Sequence, residues 1–173
     1  KPVFLGVNDI LIKSTENTKD LLSQELEIRK AELMEKILFT SLEKIFIENR
    51  IYRDIEEVEE SFEEVINTVD RGLDPYKPNF YREITRDDII RLLEIRIKRI
   101  SKFDSFKANE LMRTMEEELA EVEHHLANLT TYTITYYQKL VKNFGKGKER
   151  KTEISQFETI KARQVAVNNA KLY

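Results

Sequence analysis

Cysteine and tryptophan are absent from this 173-residue chain, and glycine and proline are scarce, at four and three. Without cysteine there is neither a disulfide framework nor a thiolate metal site. So few glycines and prolines leave few turns, and the chain should consist of a small number of long helices. No apolar run approaches the ~20 residues of a membrane span, and no basic segment followed by an apolar one marks a signal peptide. A cytoplasmic setting without membrane contact is expected. The net charge of -3 excludes a wholly basic nucleic-acid-binding domain but leaves local patches open. Against these absences stand 40% hydrophobic residues, enough for a core of some size, and 35% charged residues, well above the usual share. The chain starts with Lys1 instead of methionine, which suggests a piece excised from a longer protein.

The stretch Ile84 to Asp104, ITRDDIIRLLEIRIKRISKFD, predicts a helix over 86–102. Thr85, with Asp88 three residues on, has the form of an N-cap with a capping-box-like acid. On this helix Ile89, Ile90, Leu93, Ile97 and Ile100 fall on one flank, Leu92 and Ile95 on another, and only Arg91, Glu94 and Lys98 form a polar strip. An apolar arc on the order of 200° exceeds the single stripe of a surface helix. It is either wrapped by its own chain or shared with a second subunit.

The first 14 residues hold only a brief apolar stretch, and residues 1–16 read as a connector. From about Asn17 to Asn49 runs a helical pattern without glycine or proline. Its first half is thinly apolar (Leu22, Leu26, Leu33), and its second half thickens to Met34, Ile37, Leu38, Leu42, Ile45 and Phe46. A thin seam suits one partner helix and a broad face suits a globular head. Asp54 opens an acidic helix, DIEEVEESFEEVINTVDRG, with Ile55, Val58, Phe62, Val65, Ile66 and Val69 at helical spacing and Gly72 as its C-cap. Its seven acids between Asp54 and Glu64 read as a solvated face that would repel DNA phosphates. Leu73 to Glu83, with Pro75 and Pro78, reads as a loop.

The strongest periodicity lies between Ser105 and Asn143. Ala108, Met112, Met115, Leu119, Val122, Leu126, Leu129, Thr133, Tyr136 and Leu140 alternate steps of four and three, a heptad seam on one long helix of ~55 to 60 Å. The economical arrangement pairs Leu22 to Leu33 with Leu126 to Leu140, antiparallel. The fold class is therefore mainly α: a two-helix coiled-coil arm (17–33 and 116–144) capped by a small helical head (34–115), with 145–173 a basic linker leading into a further, mostly missing domain. Seam residues are Leu22, Leu26, Leu33, Leu119, Val122, Leu126, Leu129, Tyr136 and Leu140.

Gly145 and Gly147 end the long helix within FGKGKERKTEI. Among the cations of this segment, Lys142, Lys146, Lys148 and Arg150 are candidate phosphate contacts, or else complements of the helix dipole and a solvated linker. Glu121 and His125 share a helical face, but His124 points elsewhere and no third ligand is evident, so no metal site is assigned. The carboxylates at Glu116 to Glu118, Glu121 and Glu123 sit outside the seam. No glycine-rich phosphate loop or nucleophile-plus-base pattern accompanies them, and no catalytic residue is assigned.

This order of elements resembles the coiled-coil arm and exit gate of the A subunit of bacterial type IIA DNA topoisomerases. LLEIRIKRIS at 92–101 is similar to that family's gate helix, and FGKGKERKTEI at 144–154 is similar to its glycine-containing, Arg/Lys-Thr-Glu-Ile exit from the arm. The ending VAVNNAKLY resembles the start of its C-terminal β-pinwheel. Within the family, the DPYKPNF linker and the ERKTEI ending are more similar to topoisomerase IV than to gyrase A subunits. The resemblance implies a homodimer whose heads close an exit gate for the transported duplex, DNA and a B subunit as further partners, and Mg2+ and ATP used through other regions or the partner subunit. It also implies that catalysis lies outside this piece, since none of the seven tyrosines follows an arginine as the family's cleaving tyrosine does. The expected dimer surface is Ile89, Ile90, Leu93, Ile97 and Ile100, with Arg96 and Phe103 at its rim. A coiled-coil adaptor that binds another protein and has no connection with DNA is the alternative.

Overall fold

A computed structural model describes residues 3–55, 61–149 and 151–152. All regular structure among them is helical: α1 (Val7–Glu48), α2 (Ile51–Asp54), α3 (Phe62–Leu73), a 3₁₀ turn (Asp74–Asn79), α4 (Arg86–Leu93), α5 (Ile97–Ser101), α6 (Ser105–Ala127) and α7 (Leu129–Phe144). The chain divides into two units, Lys1–Thr135 and Tyr136–Tyr173. Among the described residues no helix is long and apolar enough to cross a membrane. The expected start of a β domain and part of the acidic run lie outside the described residues.

In the first unit α1 begins at Val7 and not near Asn17, because nothing between them breaks a helix and Asp9 complements the dipole of the first turn. It packs antiparallel against α6. Lys44 Nζ donates to Asn109 Oδ1 at 2.6 Å, Ser41 lies 3.2 Å from the Met112 sulfur, Arg29 meets Glu118, and Lys30 meets Glu123 at 2.9 Å. Farther along, Lys19 reaches Thr130 at 2.9 Å. Between these ties Leu26, Leu33, Met115 and Val122 are buried, with Ile37, Met112, Leu119, Leu126, Leu129 and Tyr132 packed around them. The register is shifted from the expected one: the 22–33 segment lies beside Glu118 and Glu123, and of the expected partner stretch Leu126 and Leu129 pack in the same cluster. The pairing also continues to Glu48, which accepts from the Ser105 hydroxyl. The thick half of α1 covers α6 with one flank and the head with the other.

The head core gathers Leu38, Leu42 and Phe46 of α1, Ile51 of α2, Ile66, Val69 and Leu73 of α3, and Ile89 and Leu92 of α4. Arg50, at φ 57°, turns the chain from α1 into α2. Gly72 lies inside α3 and does not cap it. Its role is close approach, because a Cβ there would stand 2.9 Å from the Ile51 side chain.

Two long helices predicted from the sequence are each broken. The 86–102 helix becomes α4 and α5, with Arg96 extended at ψ 142° between them. Ile95 packs against the head core. The 105–143 helix is interrupted at Asn128 (φ -119°, ψ 42°), whose side-chain amide donates to the His124 carbonyl at 3.0 Å. In the second unit α7 runs to Phe144. Gly145 follows because a Cβ would sit 2.4 Å from the Val141 carbonyl oxygen.

Arg82 ties the head to α1. Its guanidinium donates to both Glu35 oxygens at 2.8 Å and to Asp88 at 2.7 and 3.1 Å. Thr85 and Asp88 complete the capping box: the Thr85 N–H donates to Asp88 Oδ2 at 2.9 Å and the Asp88 N–H to Thr85 Oγ1 at 3.3 Å. Arg82, aided by the Tyr81 hydroxyl, lowers the Glu35 carboxyl to about 2. Arg82, then the Thr85 N–H, holds Asp88 at about 2. Both carboxyls therefore stabilise the fold above their ordinary range near ~4, and that contribution is lost as pH falls through about 2. Urea unfolding between neutral pH and about pH 2 should show this loss. Asp88→Asn should cost about 2 kcal/mol at neutral pH and flatten the acid limb.

Candidate subunit interface

The residues expected on one flank of one helix lie on α4, on α5 and in the turn after α5. Ile89 is 3% exposed and belongs to the head core, so it is not available to a partner. Ile90, Leu93, Ile100 and Phe103 are half-buried against the same core. Arg96 is exposed, and Ile97 is 82% exposed. Much of the excess apolar arc is thus covered by the chain's own head, and the break at Arg96 turns Ile97 outward. The chain's own head covers Ile89, whereas Ile97 is left uncovered by the described residues.

Beside Ile97, residues of α1, α5 and α6 line a groove of about 530 Å³. Phe103, Ala108 and Leu111 contribute apolar wall, and Arg96, Lys98, Arg99, Lys102 and Lys107 contribute the cations. One of these cations is held from below. Glu43 of α1 is buried, at 6% exposure, and the Arg99 guanidinium donates to both of its oxygens, to Oε2 at 2.7 Å. Next to it Arg91 stacks over the Phe39 ring at 4.0 Å. These contacts place α5 on α1 although α5 is only five residues long. Neither Glu43 nor the Arg82 network was identified from the sequence. The available signal was an acid, Glu43, between Leu42 and the apolar pair Ile45 and Phe46, where a charge that becomes buried calls for a partner.

Of the seam residues, Leu22, Leu26, Leu33 and Val122 are buried, and Leu119, Leu126 and Leu129 are half-buried in the α1–α6 seam. Tyr136 and Leu140 belong to the second unit, where Tyr136 rests against Tyr137 with ring centroids 5.7 Å apart. Lys142, Lys146 and Lys148 are exposed in that unit, and Arg150 lies outside the described residues. Glu121 stands 3.5 Å from His125, whose ring stacks on Tyr132 at 4.6 Å. Among the described residues no three His, Asp or Glu side chains converge as a metal site would require.

The first unit is thus defined as an antiparallel helix pair carrying a small helical head. The chain is similar to the A subunit of DNA topoisomerase 4 from Borreliella burgdorferi (strain ATCC 35210 / DSM 4680 / CIP 102532 / B31), at 29% identity over 172 residues. That alignment covers 99% of this chain and 27% of the relative, so the chain spans about a quarter of that protein's length. It bears out the resemblance to a piece of a type IIA topoisomerase A subunit. No family model and no solved structure matches the chain.

Arg99→Ala should strand the Glu43 carboxylate and lower stability by roughly 2–3 kcal/mol in chemical denaturation. The pair Glu43→Leu with Arg99→Leu should recover most of that loss, because no buried charge remains.

Proposed function

We propose that this chain is the coiled-coil arm and dimerisation gate of a type IIA DNA topoisomerase A subunit. In this reading two copies meet through their heads and close an exit below the place where DNA is cut. The gate opens to let the transported duplex leave. The observation that carries the reading is the alignment of 99% of this chain with part of the A subunit of topoisomerase 4, supported by a head that holds the 82% exposed Ile97 outside its own core. A gate needs a contact that holds yet releases, and a limited surface of Ile97, half-buried Ile90, Leu93, Ile100 and Phe103, and rim residue Arg96 suits that demand better than a large apolar face. Strand passage, DNA binding, pairing with a B subunit and a cytoplasmic location belong to the parent enzyme in this proposal. Mg2+ and ATP would act through other regions or the partner subunit. The exposed lysines after α7's midpoint, Lys142, Lys146 and Lys148, are the proposed contacts with DNA phosphates.

Sedimentation equilibrium of the 173-residue chain over a wide concentration range tests the gate. A reversible dimer is expected. Ile97→Glu should give a folded monomer, since an 82% exposed side chain contributes little to the head itself. A chain that stays monomeric throughout would move the reading to a coiled-coil adaptor for another protein.

A further inference from the structure

Charge is unevenly distributed along the α4–α5 segment: acids outnumber cations at its start and cations outnumber acids at its end, although exposed Arg86 stands at the first and exposed Glu94 and Asp104 at the second. At its start, Asp87 in the first turn of α4, Glu83 just before it, and Glu63 and Glu64 in the first turn of α3 are all acidic, and Asp87 and Glu63 are exposed. Glu63 bridges to Arg86, which fixes the start of α3 beside the start of α4. At the other end, Arg96, Lys98 and Lys102 are exposed, and among the described residues none is in an ion pair with an acid. Arg99, 66% exposed, stands beside them with its charge already met by Glu43. The helix dipole accounts for Asp87 at the beginning of α4 and Arg91 near its close. The dipole of α3 likewise accounts for Glu63 and Glu64 in its first turn, but no dipole accounts for Glu83 or for the cations beyond the end of α4.

This separation restricts how two copies can meet. A two-fold contact repeats every residue pair, so laying α5 on α5 would set one group of cations against an identical group. Laying the segments antiparallel about the middle of α4 sets the acidic start of each against the basic end of the other, twice. The eight residues of α4 span ~12 Å, longer than the ~8 Å screening length at physiological ionic strength, so the two ends act as separate charges. Ile90, Leu93 and Ile97 lie in sequence between the two ends and supply apolar contact where the copies cross.

We infer that a second copy of this chain docks antiparallel along α4–α5, its acidic end on the basic end of the first, so that charge sets both the register and the release of the contact. The inference rests on the gate reading and specifies its surface. A contact of this kind weakens as salt rises, whereas a purely apolar one does not.

Two double variants test it, each checked for helix content by circular dichroism. Glu64→Lys with Asp87→Lys makes both ends basic, and Lys98→Glu with Lys102→Glu makes both ends acidic. By sedimentation equilibrium, each alone should raise the dimer dissociation constant about tenfold or more. An equimolar mixture should restore association as a heterodimer. Should Asp87→Lys reduce helix content, Glu83→Lys replaces it. If the unmodified chain dimerises but the variants associate as well as it does, or the mixture fails to recover, the antiparallel contact is wrong and the gate reading stands. If the unmodified chain is monomeric at every salt and concentration, the gate reading falls and this inference with it.

Discussion

The dependence of the whole first unit on α1 is a matter of one apolar face divided between two partners. Leu26 and Leu33 are buried against α6, whereas Leu38, Leu42 and Phe46 anchor the head. A helix of 42 residues buries so much surface only because its neighbours approach from different sides, and the head has no comparable core without it. The broadening of the apolar stripe after Leu33 is therefore a change in the number of partners and not the border between a stalk and a separate globule.

Charge then refines what apolar burial permits. The seam residues of α6 repeat with one period and could accept Leu26 and Leu33 at more than one level. Arg29 with Glu118, Lys30 with Glu123 and Lys44 with Asn109 make one level the satisfied one. Exposed pairs of this sort contribute little stability individually but penalise a slipped register that would leave them apart. Arg82 acts differently. It joins Glu35 on α1 to the capping carboxylate of α4, so helix initiation in the head and its seating on α1 share one guanidinium.

Local chemistry was legible in the sequence wherever a residue has few alternatives. The Thr85–Asp88 cap, the helix end at Gly145, the heptad from Met112 to Leu129 and the mainly helical class all follow from such residues. The register was not legible, because period counting treats every apolar position as equivalent and ignores the polar ties. The break at Arg96 was hidden for a related reason: LLEIRIKRIS has the composition of a helix, and no local signal marks the extended backbone at Arg96. The burial of Ile89 was not legible, because one helix cannot reveal how much of its arc its own chain will cover. Gly72 misled in the same way, with the proximity of Ile51 supplying a use for glycine that no local signal carries.

The seating of α5 has a mechanical consequence. A single turn and a half of helix has no stability of its own, so the position of Ile97 is dictated by what grips its neighbours, Ile100 on the head core and Arg99 on Glu43 of α1. A roll of α1 about its long axis would drag Glu43, and with it the guanidinium and the turn that bears Ile97. Torque applied to the stalk would thus tilt the exposed Ile97, making the short helix a pawl driven by the shaft on which it rests.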